Sequence, residues 1–235
     1  MCRNIYGFLI LCYAMVLVFA NWYDARLIRI FGLDTDAGTI IFPLTFILTD
    51  IITEVYGYQY ARLAIWCGFL FNLIFIAYGQ LVIHLPSPPY AHQNVLFDSL
   101  LAINIRIVLA SFFSYLCSEP LNAWVMAKLK LTMNGKKMSL RFVVSTLIAA
   151  GVDSFIFSSL AFSNLIDPMN LLRLIITMWF IKVFIEIIGL PFSITLANKL
   201  KQIEKIDMYD AHTSFNLFKL QINYRTEDNR YQFSY

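Results

Sequence analysis

The sequence is short of charged residues. Only 14% of its 235 residues are Asp, Glu, Lys or Arg, whereas 59% are hydrophobic and the mean hydropathy is +0.66. In an ordinary soluble domain about one quarter of the residues are charged. The scarcity of charge therefore excludes a typical soluble domain and predicts an integral membrane protein that forms a single domain.

Metal-ligating residues and nucleotide-binding motifs are also scarce. The chain has four cysteines and three histidines, and no pair of cysteines has the spacing of metal ligands. We therefore expect no metal, no cofactor and no catalytic residue. No segment matches the Walker pattern G-x-x-x-x-G-K-[ST], which excludes ATP hydrolysis by that route. The net charge of +3 does not indicate nucleic-acid binding, because the basic residues follow a membrane topology.

Long apolar runs are what the sequence does contain, and they predict an all-α fold with six transmembrane helices. The predicted spans are Ile5–Ile30, Ala37–Gly57, Leu63–Leu85, Ser99–Ala127, Phe142–Asn164 and Leu171–Leu200. The first run lacks a small-residue cleavage site, so we expect a retained helix and not a removed signal peptide. Residues 1–200 are predicted to form the transmembrane domain, and residues 201–235 a cytoplasmic tail.

The second predicted span is irregular. It is uncharged only from Ala37 to Thr49, and this stretch is too short to cross a membrane alone. It also contains Gly38 and Pro43. The span is therefore predicted to be kinked or re-entrant.

The basic residues are distributed unevenly between the two sides that six spans define. Thirteen lie on the side that holds both termini: Arg3, Arg62, Lys128, Lys130, Lys136, Lys137, Arg141, Lys199, Lys201, Lys205, Lys219, Arg225 and Arg230. Three lie on the other side: Arg26, Arg29 and Arg173. The positive-inside rule predicts that both termini are cytoplasmic and that the protein lies in the cell (inner) membrane.

Seven charged side chains nevertheless lie within the apolar runs: Asp50, Glu54, Arg106, Glu119, Asp153, Lys182 and Glu186. Each would cost about 2.5–3.5 kcal/mol at the centre of a lipid-facing helix. They are therefore expected to face one another, a polar cavity or the membrane interface. This pattern is typical of a membrane protein that binds or moves a polar solute.

Asp50 and Glu54 are four residues apart and hence share one helix face. Such a pair accepts hydrogen bonds from a base-like ligand, binds a cation or shares a proton. The alternative is an acidic helix end that is solvated at the interface. Phe46 and Phe42 precede Asp50 by one and two turns, and a flat heteroaromatic ligand would stack on such rings.

Lys182 and Glu186 are also four residues apart, which permits an ion pair within one helix, either functional or structural. Asp153 has no neutralising neighbour in its own span. We expect its partner to come from another helix, with Lys182 and Arg106 as the candidates. Arg106 has the alternative of reaching towards the interface near a helix end.

Three further polar side chains complete the predicted substrate-binding set. Glu119 and Asn122 share a face near one end of the fourth span, and Asn72 lies on a face of the third with Gln80. Asn72 has the alternative role of a hydrogen-bond link between helices.

The chain resembles a known family over nearly its whole length, and the matching segments follow one another in the same order. The run from Ile41 to Tyr58, IFPLTFILTDIITEVYGY, is similar to the signature of the queuosine-precursor transporter family. The similarity resumes in SEPLN at residues 118–122 and in DSFIF at residues 153–157, and continues through Lys182, Glu186 and Pro191. The family usually has Gln or Glu three residues before the aspartate of the fifth helix, which is Asp153 here. This chain has Ala150 at that position.

The resemblance implies six helices, a fold akin to the substrate-binding subunits of energy-coupling-factor vitamin transporters, and import of deazaguanine precursors of the tRNA base queuosine. Cyano-deazaguanine and aminomethyl-deazaguanine are the implied cargoes. The resemblance also implies that the chain is not an enzyme. Ala150 leaves open whether substrate choice differs from the family's.

Several functions remain as alternatives at this point. The chain is a self-sufficient transporter, or it is a binding subunit for a vitamin or nucleobase that needs a separate ATPase module. An intramembrane aspartyl protease using Asp50 and Asp153 is a third reading, and a purely structural membrane protein a fourth. The expected partners are a small nucleobase-like molecule and the lipid bilayer, and the oligomeric state is open.

Overall fold

The computed structural model describes residues 4–30, 32–101 and 105–231, and most of them are helical. In chain order the elements are α1 (Asn4–Tyr23), β1 (Leu27–Ile30), β2 (Leu33–Asp36), α2 (Gly38–Ile41), α3 (Pro43–Tyr56), α4 (Tyr58–Ile83), α5 (Asn94–Leu101), α6 (Ile105–Thr132), α7 (Met138–Phe162), α8 (Pro168–Glu204) and a short 3₁₀ helix (Thr226–Asp228). Cys2 and Arg3, and residues 102–104 of the fourth predicted span, lie outside the described residues.

Helix α3 forms the centre of the bundle. It packs against α1, α4, α6, α7 and α8, and 12 of its 14 residues are buried. A helix surrounded in this way brings any polar side chain on it into contact with other helices and not with lipid. At its end the chain reverses at Gly57, whose φ of 84° is a conformation that favours glycine.

The outside of the bundle is apolar and its inside is polar. Phe180 and Phe192 of α8 and Tyr78 of α4 are each about two-thirds exposed, whereas Asp50, in the bundle centre, is fully buried. Within the described residues, four helical segments are long and apolar enough to cross a membrane: Ile5–Tyr23, Gly38–Tyr56, Tyr58–Ile83 and Met138–Phe162. Such an inverted distribution suits a hydrocarbon environment, where polar groups must be satisfied within the protein.

The prediction of a first span reaching Ile30 is wrong, and the fold is not purely helical. Helix α1 ends at Tyr23, and β1 and β2 form an antiparallel hairpin in which Leu27 lies opposite Asp36. Arg29 pairs with Asp34 across the hairpin at 2.5 Å. In β1 the half-buried Ile28 and Ile30 alternate with the exposed Leu27 and Arg29, which is the period of a strand and not of a helix.

The second predicted span contains the irregularity expected from its proline. Two helices, α2 and α3, occupy it, and they meet at Phe42, directly before Pro43. Proline lacks a backbone N–H, and it is tolerated here because it stands at the start of α3. The other predicted spans correspond to α4, α6, α7 and α8 with shifted ends.

The segment after α8 lies against the bundle. The Arg62 guanidinium donates to the backbone oxygens of Ser214 and Asn216, at 3.1 and 2.7 Å. The Asp210 carboxylate accepts from the backbone N–H of Tyr58 at 2.9 Å. These contacts join the tail to the start of α4. We call this the tail end of the bundle, and the opposite one the hairpin end.

Candidate functional site

A small cleft opens among the helices at the hairpin end. Its lining includes three carboxyl groups and one ammonium group, from Asp24, Asp36, Asp153 and Lys182. The other lining residues are Thr39, Phe42, Ser111, Ser114, Phe157 and Met178. Its cavity volume is about 10 Å³, roughly the space of a single water molecule and far below the roughly 300–1,000 Å³ of most ligand pockets. We call it the hairpin-end cleft.

Lys182 and Asp153 are directly paired in this cleft. The Lys182 ammonium donates to the Asp153 carboxylate, which also lies 3.1 Å from the Ser118 hydroxyl. Of the two partners expected for Asp153, the structure thus provides Lys182. The predicted ion pair between Lys182 and Glu186 is absent, because the lysine reaches from α8 to α7. The same ammonium lies 4.6 Å from the ring centre of Phe42, within cation–π range.

The two aspartates that flank the hairpin were missed by the sequence analysis. Asp24 lies near the end of the first predicted span and Asp36 in the connection that follows it, where acids are ordinarily solvated, yet they are only 8% and 1% exposed. The Asp36 carboxylate accepts from the backbone N–H and the hydroxyl of Thr39, at 2.6 and 2.8 Å. A possible signal was the strand-like alternation before Asp36, which ends at this buried residue.

Burial controls the charge of these two acids. It raises the pKa of Asp24 well above its usual value, and the neighbouring charge of Asp36 raises it further. Burial also raises the pKa of Asp36, although Lys182 and Thr39 oppose the effect. Asp24 is therefore the member of the pair whose pKa is raised more. The cleft as a whole contains three acidic side chains against one ammonium group.

Gly38 allows Asp24 to approach the start of α2, and its replacement by Ala is expected to disturb the cleft. A Cβ at this position would lie 1.9 Å from Asp24 Oδ1 and 2.4 Å from the backbone oxygen of Ala20. Such overpacking typically costs about 1–3 kcal/mol. The Gly38→Ala variant should therefore melt at a lower temperature in detergent and bind ligand more weakly.

Gly7→Ala is the matched control, because nothing lies within 4 Å of a Cβ built on Gly7 in α1. Its stability should be unchanged or raised by about 0.5–1 kcal/mol, the helix preference of Ala over Gly. Equal melting temperatures and equal ligand affinities for the two variants would contradict the close approach of Asp24 to α2.

A second group of acids lies deeper in the bundle, and we call Asp50, Glu119 and Glu186 the central carboxyl cluster. Asp50 Oδ1 accepts from the Asn122 side-chain amide at 2.7 Å, and Glu119 Oε2 accepts from Thr49 at 2.8 Å. Glu186 is fully buried, and neither of its oxygens has a hydrogen-bond partner among the described residues. Asn122 Oδ1 and Glu119 Oε1 are similarly unpaired there. Every one of these unpaired atoms is an acceptor.

Glu54 belongs to a third group at the tail end. Its carboxylate accepts two hydrogen bonds from Arg141, at 2.7 and 3.0 Å, and one from Lys201 at 2.6 Å. Lys130 donates to the Glu54 backbone oxygen and to Asp207. We call these five residues the tail-end ion cluster. Glu54 is therefore paired with three basic residues, Arg141, Lys130 and Lys201, that lie just outside the predicted spans.

Asp207 connects the tail to this cluster. Burial alone would raise its pKa, but the ammonium groups of Lys130 and Lys201 hold the pKa below its usual value. Both lysines lie within 2.8 Å of Asp207 Oδ1. Both carboxylate oxygens of Glu54 are thus already bound by cations of the tail-end ion cluster.

The remaining predicted site residues occupy separate positions. Phe46 is fully buried and contacts the Phe42 ring edge to face, with centres 5.4 Å apart. Asn72 lines a neighbouring cleft that shares Asp24 and Ser111 with the hairpin-end cleft. Arg106 donates to the Leu160 and Ser163 backbone oxygens and so joins α6 to the end of α7.

Comparison with known proteins identifies a family model that matches the chain and two proteins that are similar to it. Residues 36–196 match the family model described as "Putative vitamin uptake transporter". The chain is 28% identical over 179 residues to a Bacillus subtilis protein named "Probable queuosine precursor transporter", covering 75% of this chain and 77% of that protein. A Haemophilus influenzae protein of the same name is 26% identical over 138 residues, covering 59% of this chain and 56% of that protein. No solved structure matches the chain.

Proposed function

The chain belongs to the family described as "Putative vitamin uptake transporter", and on that premise we propose that it imports deazaguanine precursors of queuosine. The family match covers most of the chain, including Asp36, Asp153 and Lys182 of the hairpin-end cleft. The names of both relatives support the cargo. The names describe transport and not catalysis, in agreement with a role other than that of an enzyme.

The observation that carries the proposal is the set of groups in the hairpin-end cleft. A guanine-like edge presents ring and amino N–H donors beside a carbonyl acceptor. The carboxylates of Asp36 and Asp153 suit the donors, and the Lys182 ammonium suits the carbonyl. Phe42 and Phe157 supply apolar ring surface for a flat ligand. The small volume implies that helices move apart when the base enters.

The charge of the cleft favours one of the two cargoes. Aminomethyl-deazaguanine carries a primary amine that is protonated at neutral pH, whereas cyano-deazaguanine is neutral. A cleft lined by three acidic side chains and one ammonium group stabilises the cationic base more. We therefore propose that aminomethyl-deazaguanine binds more tightly.

The site assignment differs in part from the one that the sequence favoured. Asp153 and Lys182 stay in the proposed substrate site, joined by Asp24 and Asp36. Glu54 is proposed to hold the tail end together, because its oxygens are already paired with cations. Arg106 is proposed to fix the α6–α7 contact.

The proposed topology has six spans, with α2 and α3 together as the second and α5 outside the membrane. Both termini are proposed to be cytoplasmic in the inner membrane, with a fold akin to energy-coupling-factor binding subunits. Support comes from the tail-end position of Lys130, Arg141 and Lys201, which the positive-inside rule places in or near the cytoplasm.

The alternative is a binding subunit that works with a separate ATPase module. The absence of a Walker motif from the sequence leaves this open. Uptake by the purified protein alone in liposomes distinguishes the two. The protease reading is not favoured, because Asp50 is bound to Asn122 and Asp153 to Lys182, so that neither is paired with the other.

The function is tested in cells that cannot make the deazaguanine core. Expression of this chain should restore queuosine in tRNA when either precursor is supplied at low concentration, and more effectively with the aminomethyl base. Cells that express the protein in the membrane but recover no queuosine with either precursor would refute the proposed cargo.

Asp36→Asn should lower uptake in the same assay by about tenfold or more, because hydrogen bonds to a charged group contribute about 1.5–3 kcal/mol. Asp34→Asn is the matched control, since Asp34 lies on the same strand but is largely exposed and pairs with Arg29. Its uptake should equal wild type. Equal uptake by both variants at equal membrane abundance would remove Asp36 from the site.

A further inference from the structure

Glu186 is a buried acid that the proposed substrate site does not use. Its side chain is fully buried within the bundle, and both carboxyl oxygens lack a hydrogen-bond partner among the described residues. It does not line the hairpin-end cleft. Glu186 is therefore a buried acid that has no hydrogen-bond partner among the described residues and lies outside the proposed substrate site.

The groups facing Glu186 come from three neighbouring helices and from its own. They are Asp50 of α3, Glu119 of α6, the Thr146 hydroxyl of α7 and, one turn away on α8, Lys182. The first two are acids within electrostatic range of Glu186. Lys182 is the cation of this set, and it is bound to Asp153. Arg141 and Lys201 of the tail-end ion cluster are bound to Glu54.

An ionised Glu186 would be unstable in this arrangement. A buried carboxylate that has no cation beside it is strongly disfavoured, and neighbouring acids disfavour it further. A proton on Glu186 removes the charge without requiring space. The observed state, with Lys182 on Asp153 and Glu186 unpaired, is the one expected when Glu186 carries a proton.

Resting on the proposed function, we propose that Glu186 is the proton-binding site that couples import of the base to movement of a proton. When Glu186 loses its proton, its carboxylate attracts Lys182, which lies one turn away on the same face. Lys182 then leaves Asp153 and the cleft, so that the base loses its contact with the ammonium and is released. The proton is taken up from the outer side, forms the O–H bond of the Glu186 carboxyl group and is released to the cytoplasm.

This switch gives each side chain a defined part. Protonation of Glu186 returns Lys182 to Asp153 and to the cleft, where its ammonium can bind the carbonyl of the base, so that the protonated form is the one that binds the cargo. The ion pair between Lys182 and Glu186 that the spacing predicted is then the second state of the same lysine. Two discrete partners for one ammonium provide the bistable element that coupling requires.

The test uses purified full-length protein in liposomes with radiolabelled aminomethyl-deazaguanine. With the interior more alkaline by about one pH unit and one proton per base, wild type should accumulate the base about tenfold. Glu186→Gln should still exchange labelled for unlabelled base across the membrane but lose the pH-driven accumulation. Glu204→Gln, on the same helix but outside the cluster, should behave as wild type.

The possible results separate the two proposals. The proton assignment alone would be overturned if Glu186→Gln still accumulated the base when driven by a pH gradient. It would also be overturned if wild type accumulated the base at equal pH when driven by a sodium gradient. Exchange by wild type that ignores the pH gradient would do the same. If wild type neither binds nor exchanges any deazaguanine base, the proposed function fails instead.

A second variant covers the case in which Glu186→Gln does not fold. Glu186→Asp keeps the titratable group but moves it away from Lys182 by one methylene. It should retain pH-driven accumulation at a reduced rate and with a shifted pH optimum. A pH profile identical to wild type would overturn the proposed role of Glu186.

Discussion

Replacing Glu54 with Gln should remove most of the protein from the membrane. The Glu54 carboxylate is fully buried and bound by Arg141 and Lys201, with Lys130 at 4.0 Å. Loss of its charge leaves these cations in a buried site without their central counter-ion. Breaking a buried ion pair costs about 3–5 kcal/mol, which is a large share of the roughly 5–15 kcal/mol that holds a typical domain together.

The measurements are membrane abundance and the melting temperature in detergent. Glu227→Gln is the matched control, since Glu227 and its partner Arg225 are both more than half exposed and 3.2 Å apart. An exposed pair contributes at most about 1 kcal/mol, so this variant should be as abundant as wild type. If Glu54→Gln had normal membrane abundance and a normal melting temperature but no uptake, Glu54 would be a substrate-binding residue and not a structural one.

This expectation reverses the one that the sequence suggested. Asp50 and Glu54 share a helix face, and the spacing indicated a common role for the two acids. The structure separates them by their partners, because Asp50 contacts Asn122 and Glu54 contacts Arg141. Helical periodicity reports which residues of one helix lie together. It does not report which residue of another helix, here 87 positions away, faces each of them.

The helices were the most predictable part of the fold. Long apolar runs predicted α4, α7 and α8 within a few residues, because in hydrocarbon the backbone must form its hydrogen bonds internally. The apolar run that continues through Ile28 and Ile30 led to the wrong prediction that the first helix reaches Ile30. These apolar residues lie in strand β1 of the hairpin. Hydropathy averaged over a window does not distinguish the two-residue period of a strand from the 3.6-residue period of a helix.

The candidate site was only partly predictable for a related reason. Asp153 and Lys182 are conspicuous because they interrupt apolar runs. Asp24 and Asp36 are in a polar connection, where an acid is ordinary, and their burial arises only when the hairpin folds against α2 and α8. The sequence therefore indicated the part of the site that lies within helices and missed the part that the hairpin contributes.

The largest expected effect on function belongs to Lys182. Changing Lys182 to Gln leaves Asp24, Asp36 and Asp153 around the hairpin-end cleft without a cation. The variant should bind aminomethyl-deazaguanine at least about 100-fold more weakly, since loss of a buried, hydrogen-bonded charge contact costs about 3 kcal/mol or more. It should also be less abundant, because the Asp153 carboxylate is then buried without its partner.

The double variant Lys182→Gln with Asp153→Asn separates binding from stability. Removing both members of a buried pair is often close to neutral for stability, whereas removing one is not. We therefore expect the double variant to recover membrane abundance and melting temperature but not binding or uptake. A double-mutant cycle on the melting temperatures measures the coupling between the two side chains. If the double variant bound the base as tightly as wild type, the pair would be purely structural, and the substrate would have to bind elsewhere in the bundle.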